Sequence, residues 1–335
     1  MPTDEQVASS PVCPGTGEFR HPKTLQQQSR DFPRKGHEQK LSTFFQIPAG
    51  PDGYAKVMFI AAFLLLLLLE ALFPLRRRTR PWGRHLLTNL AMTALVFAVG
   101  GLVVRRSALA VSEYAAAQHL GLLNMIPLPG WLQVALGFLL LDWTFYHWHK
   151  INHRYPLLFR FHNVHHIDPD MDVSTSFRFH WLEVLYSTVF RVLQVAVFGI
   201  SLFTYVIYES CFQLATMFHH ANLRLPFRLE KVLNYVLVTP RMHGVHHSVV
   251  ANENYSNFSV VFRWWDHLHK TLRLNIPQQE ITIGVPAYLQ PQDNRLDNLL
   301  LMPFRKQRYY WRTPVGERPV RQLSPEAPKQ TVLME

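Results

Sequence analysis

The chain has 335 residues, enough for one large domain or two ordinary ones, and a formal net charge of +11 from 34 Lys and Arg against 23 Asp and Glu. Its basic residues flank apolar runs instead of forming one patch interleaved with stacking aromatics, which argues against a nucleic-acid partner and for a membrane surface. Only two cysteines occur, Cys13 and Cys211, so a disulfide framework, a cysteine zinc site and an iron–sulfur cluster are excluded, and any metal must be held mainly by imidazole.

In chain order, residues 1–50 are polar, show no apolar periodicity and no signal-peptide core, and predict a disordered N-terminal tail with some character of a targeting segment. Residues 51–130 predict N-terminal transmembrane helices. The run Lys56–Pro74 has about the 20 apolar residues that a bilayer span needs, with Glu70 near its end expected at the interface or paired inside a bundle. A basic cluster follows (Arg76, Arg77, Arg78, Arg80 and Arg84), then a second span near 86–104. A short loop with Arg105, Arg106 and Glu113 and a break at Pro127–Gly130 lead to a third apolar run, Trp131–Tyr146. The Lys/Arg excess between the first two spans places that loop in the cytoplasm, and the third span then ends on the same side.

The apolar stretch Trp181–Phe218 is too long for one span and nearly long enough for two. A helical hairpin turning near Gly199 is expected, spanning or re-entrant, because a single crossing would put later histidines on the wrong side of the membrane from earlier ones. Arg191 within it is awkward, since a charge there must be paired or reach the interface. After Ala221 the chain is polar and basic, with strand-like Phe258–Phe262 and a Pro-rich tail after Pro314 that reads as loose. The domain reading is 131–275 for the histidine-bearing unit and 276–335 for a C-terminal extension, partly disordered. The fold class expected is an all-α integral membrane protein with about four transmembrane helices or helical hairpins and a cytoplasmic histidine-rich helical cap.

Eight of the 18 histidines fall in three tight groups: His149 and His153; His162, His165 and His166; His243, His246 and His247. The last two groups share the spacing H-x-x-H-H. On a helix, positions i, i+3 and i+4 lie on one face, so each group aims its imidazoles one way. One zinc takes about four ligands and a catalytic one three, so two ions match eight imidazoles better. Imidazole also suits zinc, copper and nickel. An H-E-x-x-H hydrolytic motif is missing, and the groups sit at the ends of apolar helices where a lipid can enter, so a di-iron centre activating oxygen on a lipid chain is the stronger reading. A dizinc hydrolase or isomerase and a non-catalytic membrane metal-binding protein are the alternatives. His220 is a candidate ninth ligand. His219 points elsewhere on its helix, and His147 falls off the His149/His153 face. Asp142, Glu183 and Asp266 are candidates to hold the outward N–H of ligand rings, and His180 is a further candidate beside the site.

At these residues the chain resembles the sterol desaturase/fatty acid hydroxylase superfamily of membrane non-haem di-iron oxygenases. The resemblance runs from about Asp142 to Thr271. It includes Asp142-Trp143 through His149, His153, Pro156 through His166, Arg178-Phe179-His180-Trp181-Leu182-Glu183, His220-Ala221-Asn222, Thr239 through Ser248, and Trp265-Asp266. Gly244, His267 and Lys150 depart from the usual residues without removing a ligand. The resemblance implies that the eight grouped histidines, with His220, hold two Fe ions, with zinc as the alternative in purified protein. It implies a lipid substrate of sterol or fatty-acyl type, molecular oxygen, and hydroxylation or desaturation. An external electron donor, either a reductase or a small haem or iron–sulfur carrier, is also expected, because no G-x-G-x-x-G motif is present. The expected location is multi-pass in a membrane with the site facing the cytoplasm, the bacterial inner membrane being slightly favoured over the endoplasmic reticulum.

Overall fold

A computed structural model describes residues 51–321, and from Tyr54 onward its elements belong to one compact unit. The expected N-terminal tail and the last 14 residues of the expected loose C-terminus lie outside the described residues. Among the described residues the structure is helical. It has no strands and only isolated bridges, at Pro74/Leu223, Leu237/Phe262 and Ser248/Ile283.

Helix α1 (Pro51–Leu72) carries the first apolar run, and Glu70 is buried near its end. That carboxylate accepts from the amides of Val173 and Asn222 (both 3.0 Å) and from Arg78 (3.1 Å), so it is paired inside the fold. Helix α2 (Trp82–Val99) passes through a π turn, Gly100–Val104, directly into α3 (Arg105–Ala117). The loop expected around Arg105, Arg106 and Glu113 is therefore helix. Arg, Ala and Glu are good helix formers, and the charges that interrupt the apolar run do not interrupt the backbone.

Helix α4 (Gly130–Arg154) extends the third apolar run by two turns and so carries both His149 and His153. Pro156 opens α5 (Pro156–His166), where its missing N–H costs nothing, and α5 holds the first H-x-x-H-H group. Helices α6 (Trp181–Phe198) and α7 (Leu202–His220) form the hairpin. It turns at Gly199, whose φ of 66° is the left-handed cap that favours glycine. A side chain at Gly121 would run into the Gly199 backbone, so two glycines permit the close approach at this corner. Arg191 lies 2.7 Å from Glu209 across the hairpin, with its guanidinium over the rings of Phe145 (4.6 Å) and Phe212 (4.8 Å). The awkward charge is thus paired.

Helix α8 (Phe227–Leu233) leads to α9 (Pro240–His246), which carries the second H-x-x-H-H group, and to the one-turn α10 (Ala251–Asn254). The segment after residue 276 is not a detached extension. Val285, Ala287, Tyr288, Leu299 and Met302 share a core with Val164 and Ile167 at the end of α5. Even Arg321 is tied down, 2.7 Å from Glu253 on α10.

By length and composition, Trp82–Ala115 and Trp181–Phe198 are apolar enough to cross a membrane. On α6, Val189, Leu193 and Val197 repeat every four residues, and all are exposed, forming an apolar stripe that the fold itself does not cover.

Candidate metal centre

Four helix ends converge. The last two turns of α4, the last turn of α7, helix α5, and α9 with its cap residue His247 bring nine imidazoles together in two buried groups. The first is His149, His153, His162, His166 and His246; the second is His165, His220, His243 and His247. Within each group one ring nitrogen per residue lies within 4.8 Å of all the others. The two H-x-x-H-H groups are each divided between the sites. His162 and His166 serve the first and His165 the second, while His246 serves the first and His243 and His247 the second. Neither site is complete without both α5 and α9.

The outward nitrogens show which way the rings are set. His149 Nδ1 donates to the Phe258 carbonyl (2.8 Å), His246 Nδ1 to Ser256 (2.7 Å) and His220 Nδ1 to Thr216 (2.8 Å). His162 Nδ1 donates to the Glu183 carboxylate at 2.7 Å. A neutral imidazole has one N–H, so each of these rings turns a bare Nε2 lone pair inward. The bare nitrogens of His149 and His246 then face each other at 3.1 Å, with no proton available to either. In the second group, His220 Nε2 is 3.0 Å from Nε2 of both His165 and His243, and His243 Nε2 is 3.1 Å from that of His247. Lone pairs held this close repel unless an electrophile lies between them. Two imidazole nitrogens each about 2.0–2.1 Å from one first-row metal ion, at roughly a right angle, are separated by about 3 Å. The donor set therefore fits a metal ion in each group.

Protons cannot take that place cheaply. Burial, followed by the neighbouring imidazoles, holds His165, His166, His243 and His247 well below the ordinary histidine range. His246 is pushed from 6.5 to about 3, chiefly by burial. The unfolded chain would take up a proton at His246 near pH 6.5, whereas the folded chain resists until near pH 3. The stability contributed by the neutral ring is thus complete above about pH 6.5 and is lost as pH falls through that window. For chelator-treated protein, the thermal midpoint is expected to fall steadily as pH is lowered across that range. A midpoint independent of pH would contradict this account of the rings.

Of the other sequence candidates, Glu183 reaches a ring directly. Asp142 and Asp266 do not, which corrects their expected role. Asp142 accepts from the amides of Val261 and Phe262 and from Trp265 Nε1. Asp266 accepts from the amides of Phe258 and Ser259 and from the Thr271 hydroxyl. Together they fold the 258–266 segment, and so act on His149 one step removed, through the Phe258 carbonyl. His180 touches no grouped ring by hydrogen bond. It caps α6 by accepting from the Leu182 amide, and its Nε2 meets the Leu300 carbonyl. His219 packs beside His243, with ring centres 4.1 Å apart and the planes tilted by 50°, yet belongs to neither group. His147 packs against Trp143 and His269.

Two residues escaped the sequence reading. Asn254 places its amide 3.2 Å from His166 Nδ1 and donates to the His246 carbonyl, tying α5 to α9 behind the first group. Phe179 lies flat on His165, at 4.6 Å and 10°. The signal for Asn254 is its place seven residues beyond His247, on the short α10 that follows the last grouped histidine.

Residues 134–271 match the family described as fatty acid hydroxylase. The chain is similar to an ornithine lipid hydroxylase of Rhizobium tropici, 27% identical over 154 residues, covering 46% of this chain and 45% of the relative. It is similar to a methylsterol monooxygenase of Arabidopsis thaliana, 26% identical over 167 residues (49% and 57%). Against human cholesterol 25-hydroxylase it is 31% identical over 158 residues (44% and 51%). The match thus spans about half the length of each relative. No solved structure matches the chain.

Proposed function

We propose, on the premise that residues 134–271 form a domain of the fatty acid hydroxylase and sterol desaturase superfamily, that the protein is a membrane-bound oxygenase. It hydroxylates or desaturates a lipid of sterol or fatty-acyl type, using molecular oxygen and two electrons from an external carrier. The observation that carries the reading is the pair of buried imidazole groups with lone pairs facing inward. Their nine nitrogens suit two iron ions. Such ions, when bound, would supply the activation of oxygen for attack on an unactivated C–H bond.

The chain's own residues prepare that chemistry. The carbonyls of Phe258, Ser256 and Thr216 and the carboxylate of Glu183 fix the tautomers of His149, His246, His220 and His162, so that each keeps its Nε2 free. Nearly complete burial of the nine rings keeps bulk water away from a reactive centre. Glu183, engaged with His162, is not free to serve as the base that a hydrolytic metal site would use. The uncovered apolar stripe on α6 and the two long apolar helices support placement in a bilayer, with the arginine-rich loop between α1 and α2 on the cytoplasmic side.

Lipid extracts of a strain lacking the gene, compared with the wild type, test the reading. The wild type should contain a lipid heavier by one oxygen, or lighter by two hydrogens, that the deletion strain lacks and the restored gene returns. Turnover by purified protein that proceeds equally without oxygen would refute it.

A further inference from the structure

The basic loop between α1 and α2 does more than mark a side of the membrane. It forms one wall of an open cleft of about 940 Å³, closed on the other side by residues 169–171 and by the 281–297 segment. Seven arginines line the cleft, against two acids, Asp170 and Asp297. Most of this charge is already engaged. Arg78 pairs with Glu70 and Asp172, Arg80 donates to the Leu289 carbonyl, and Arg178 donates to Val164, Asn89 and Asn294. Arg295 pairs with Asp297, and Asp170 is occupied by Thr79 and the Arg80 amide.

Three cationic groups remain. Arg77 and Arg84 are exposed and have no acidic partner among the described residues. Arg76 is the third. Its Nη1 donates to Gln278 at 2.7 Å, but its Nη2 is buried with no partner among the described residues. A buried guanidinium nitrogen left unpaired is costly, and Arg76 is one of the residues that line the cleft. Gly244 leaves room for the Arg76 side chain. Arg76 lies against Gly244 of the second histidine group, and any side chain there would overlap its Nη1.

We propose that this cleft binds a phosphate group, supplied by the head group of an anionic phospholipid. Planar guanidinium groups are suited to bidentate recognition of phosphate. The placement favours a lipid over free phosphate. The arginines sit between the end of α1 and the start of α2, and exposed Leu72, Phe73 and Trp82 flank them in sequence, so that apolar surface for acyl chains adjoins charge for the head group. The proposal concerns a second site and does not depend on the oxygenase reading.

The test is equilibrium binding to the full-length, detergent-purified protein. A short-chain phosphatidylglycerol is titrated by calorimetry, and inorganic phosphate is titrated separately and as a competitor. The variants are Arg77→Gln/Arg84→Gln, both at exposed positions, and Gly244→Ala, with Lys306→Gln as an exposed charge control outside the cleft. The alanine suits a helical backbone, so its effect is read through displacement of Arg76; if it does not fold, Arg76→Gln replaces it. Loss of the charged hydrogen bonds should weaken phospholipid binding by about tenfold or more in the double variant and in Gly244→Ala, leaving Lys306→Gln unchanged. Competition by inorganic phosphate would identify the phosphoryl group alone as sufficient. Tight phospholipid binding without competition would identify the whole head group and its chains. Equal binding by wild type and double variant, or an equal loss in Lys306→Gln, overturns the proposal. So does unaltered lipid binding accompanied by slowed reduction from an acidic protein carrier, which would make the cleft a protein-docking surface.

Discussion

Replacing His165 and His246 together with alanine should leave the purified protein with less than about one-tenth of the wild-type iron. The two residues are chosen because each belongs to a different group, so both donor sets are broken at once. Changes to residues that merely support a metal ligand commonly cost about 10–100-fold in metal affinity, and removal of a donor from each site should exceed this. Elemental analysis of detergent-purified protein gives the readout, and a monodisperse elution profile with wild-type near-UV circular dichroism separates metal loss from unfolding. His180→Ala serves as the control, because that ring caps α6 and meets a carbonyl without joining either group. Wild-type iron in the double variant, or equal loss in the control, would remove the basis for a two-metal centre. The folded apo-variant has one favourable feature. Taking away His246 relieves the lone-pair contact with His149 at 3.1 Å, so without metal the variant need not be less stable than chelated wild type.

The histidines could be read in the sequence because helical spacing makes a local pattern, and the expectation that they share one side of a membrane led to the hairpin that turns at Gly199. What was hidden depends on contacts distant in sequence. Phe258–Phe262 has a strand's composition but pairs with no strand. The amides of Phe258 and Ser259 go to Asp266, and those of Val261 and Phe262 to Asp142. One error therefore caused two. The carboxylates assigned to ring N–H groups satisfy the backbone instead, and the segment they fold presents the Phe258 carbonyl that holds His149. Arg105 and Arg106 misled for another reason. Charge ends an apolar run, but a helix ends only when its backbone bonds do, and the π turn at Gly100–Val104 lets α2 continue into α3.

Arg178 is visible in the sequence without a role, and its replacement by methionine should destabilise the protein by about 3–5 kcal/mol. The side chain is 1% exposed. Its Nε donates to the Val164 carbonyl (3.0 Å), Nη1 to Asn89 (3.0 Å) and Nη2 to Asn294 (2.6 Å), while Nη1 lies 3.8 Å from Asp168. Methionine fills similar volume but leaves three acceptors without that donor and Asp168 with less positive charge around it. Against a typical total stability of about 5–15 kcal/mol the loss is large, and the apparent thermal midpoint should drop by roughly ten degrees. Arg178→Lys keeps the charge but not the three-way fork, so it should fall between the two. The bond to Val164 adds a functional consequence, because Val164 lies between His162 and His165 on α5. In Arg178→Lys, iron content should therefore decline at temperatures where the rest of the protein remains folded, as followed by metal retention and circular dichroism on the same heated samples. A midpoint for Arg178→Met within about two degrees of wild type would show that the buried guanidinium does not hold α5, and with it the first histidine group, in place.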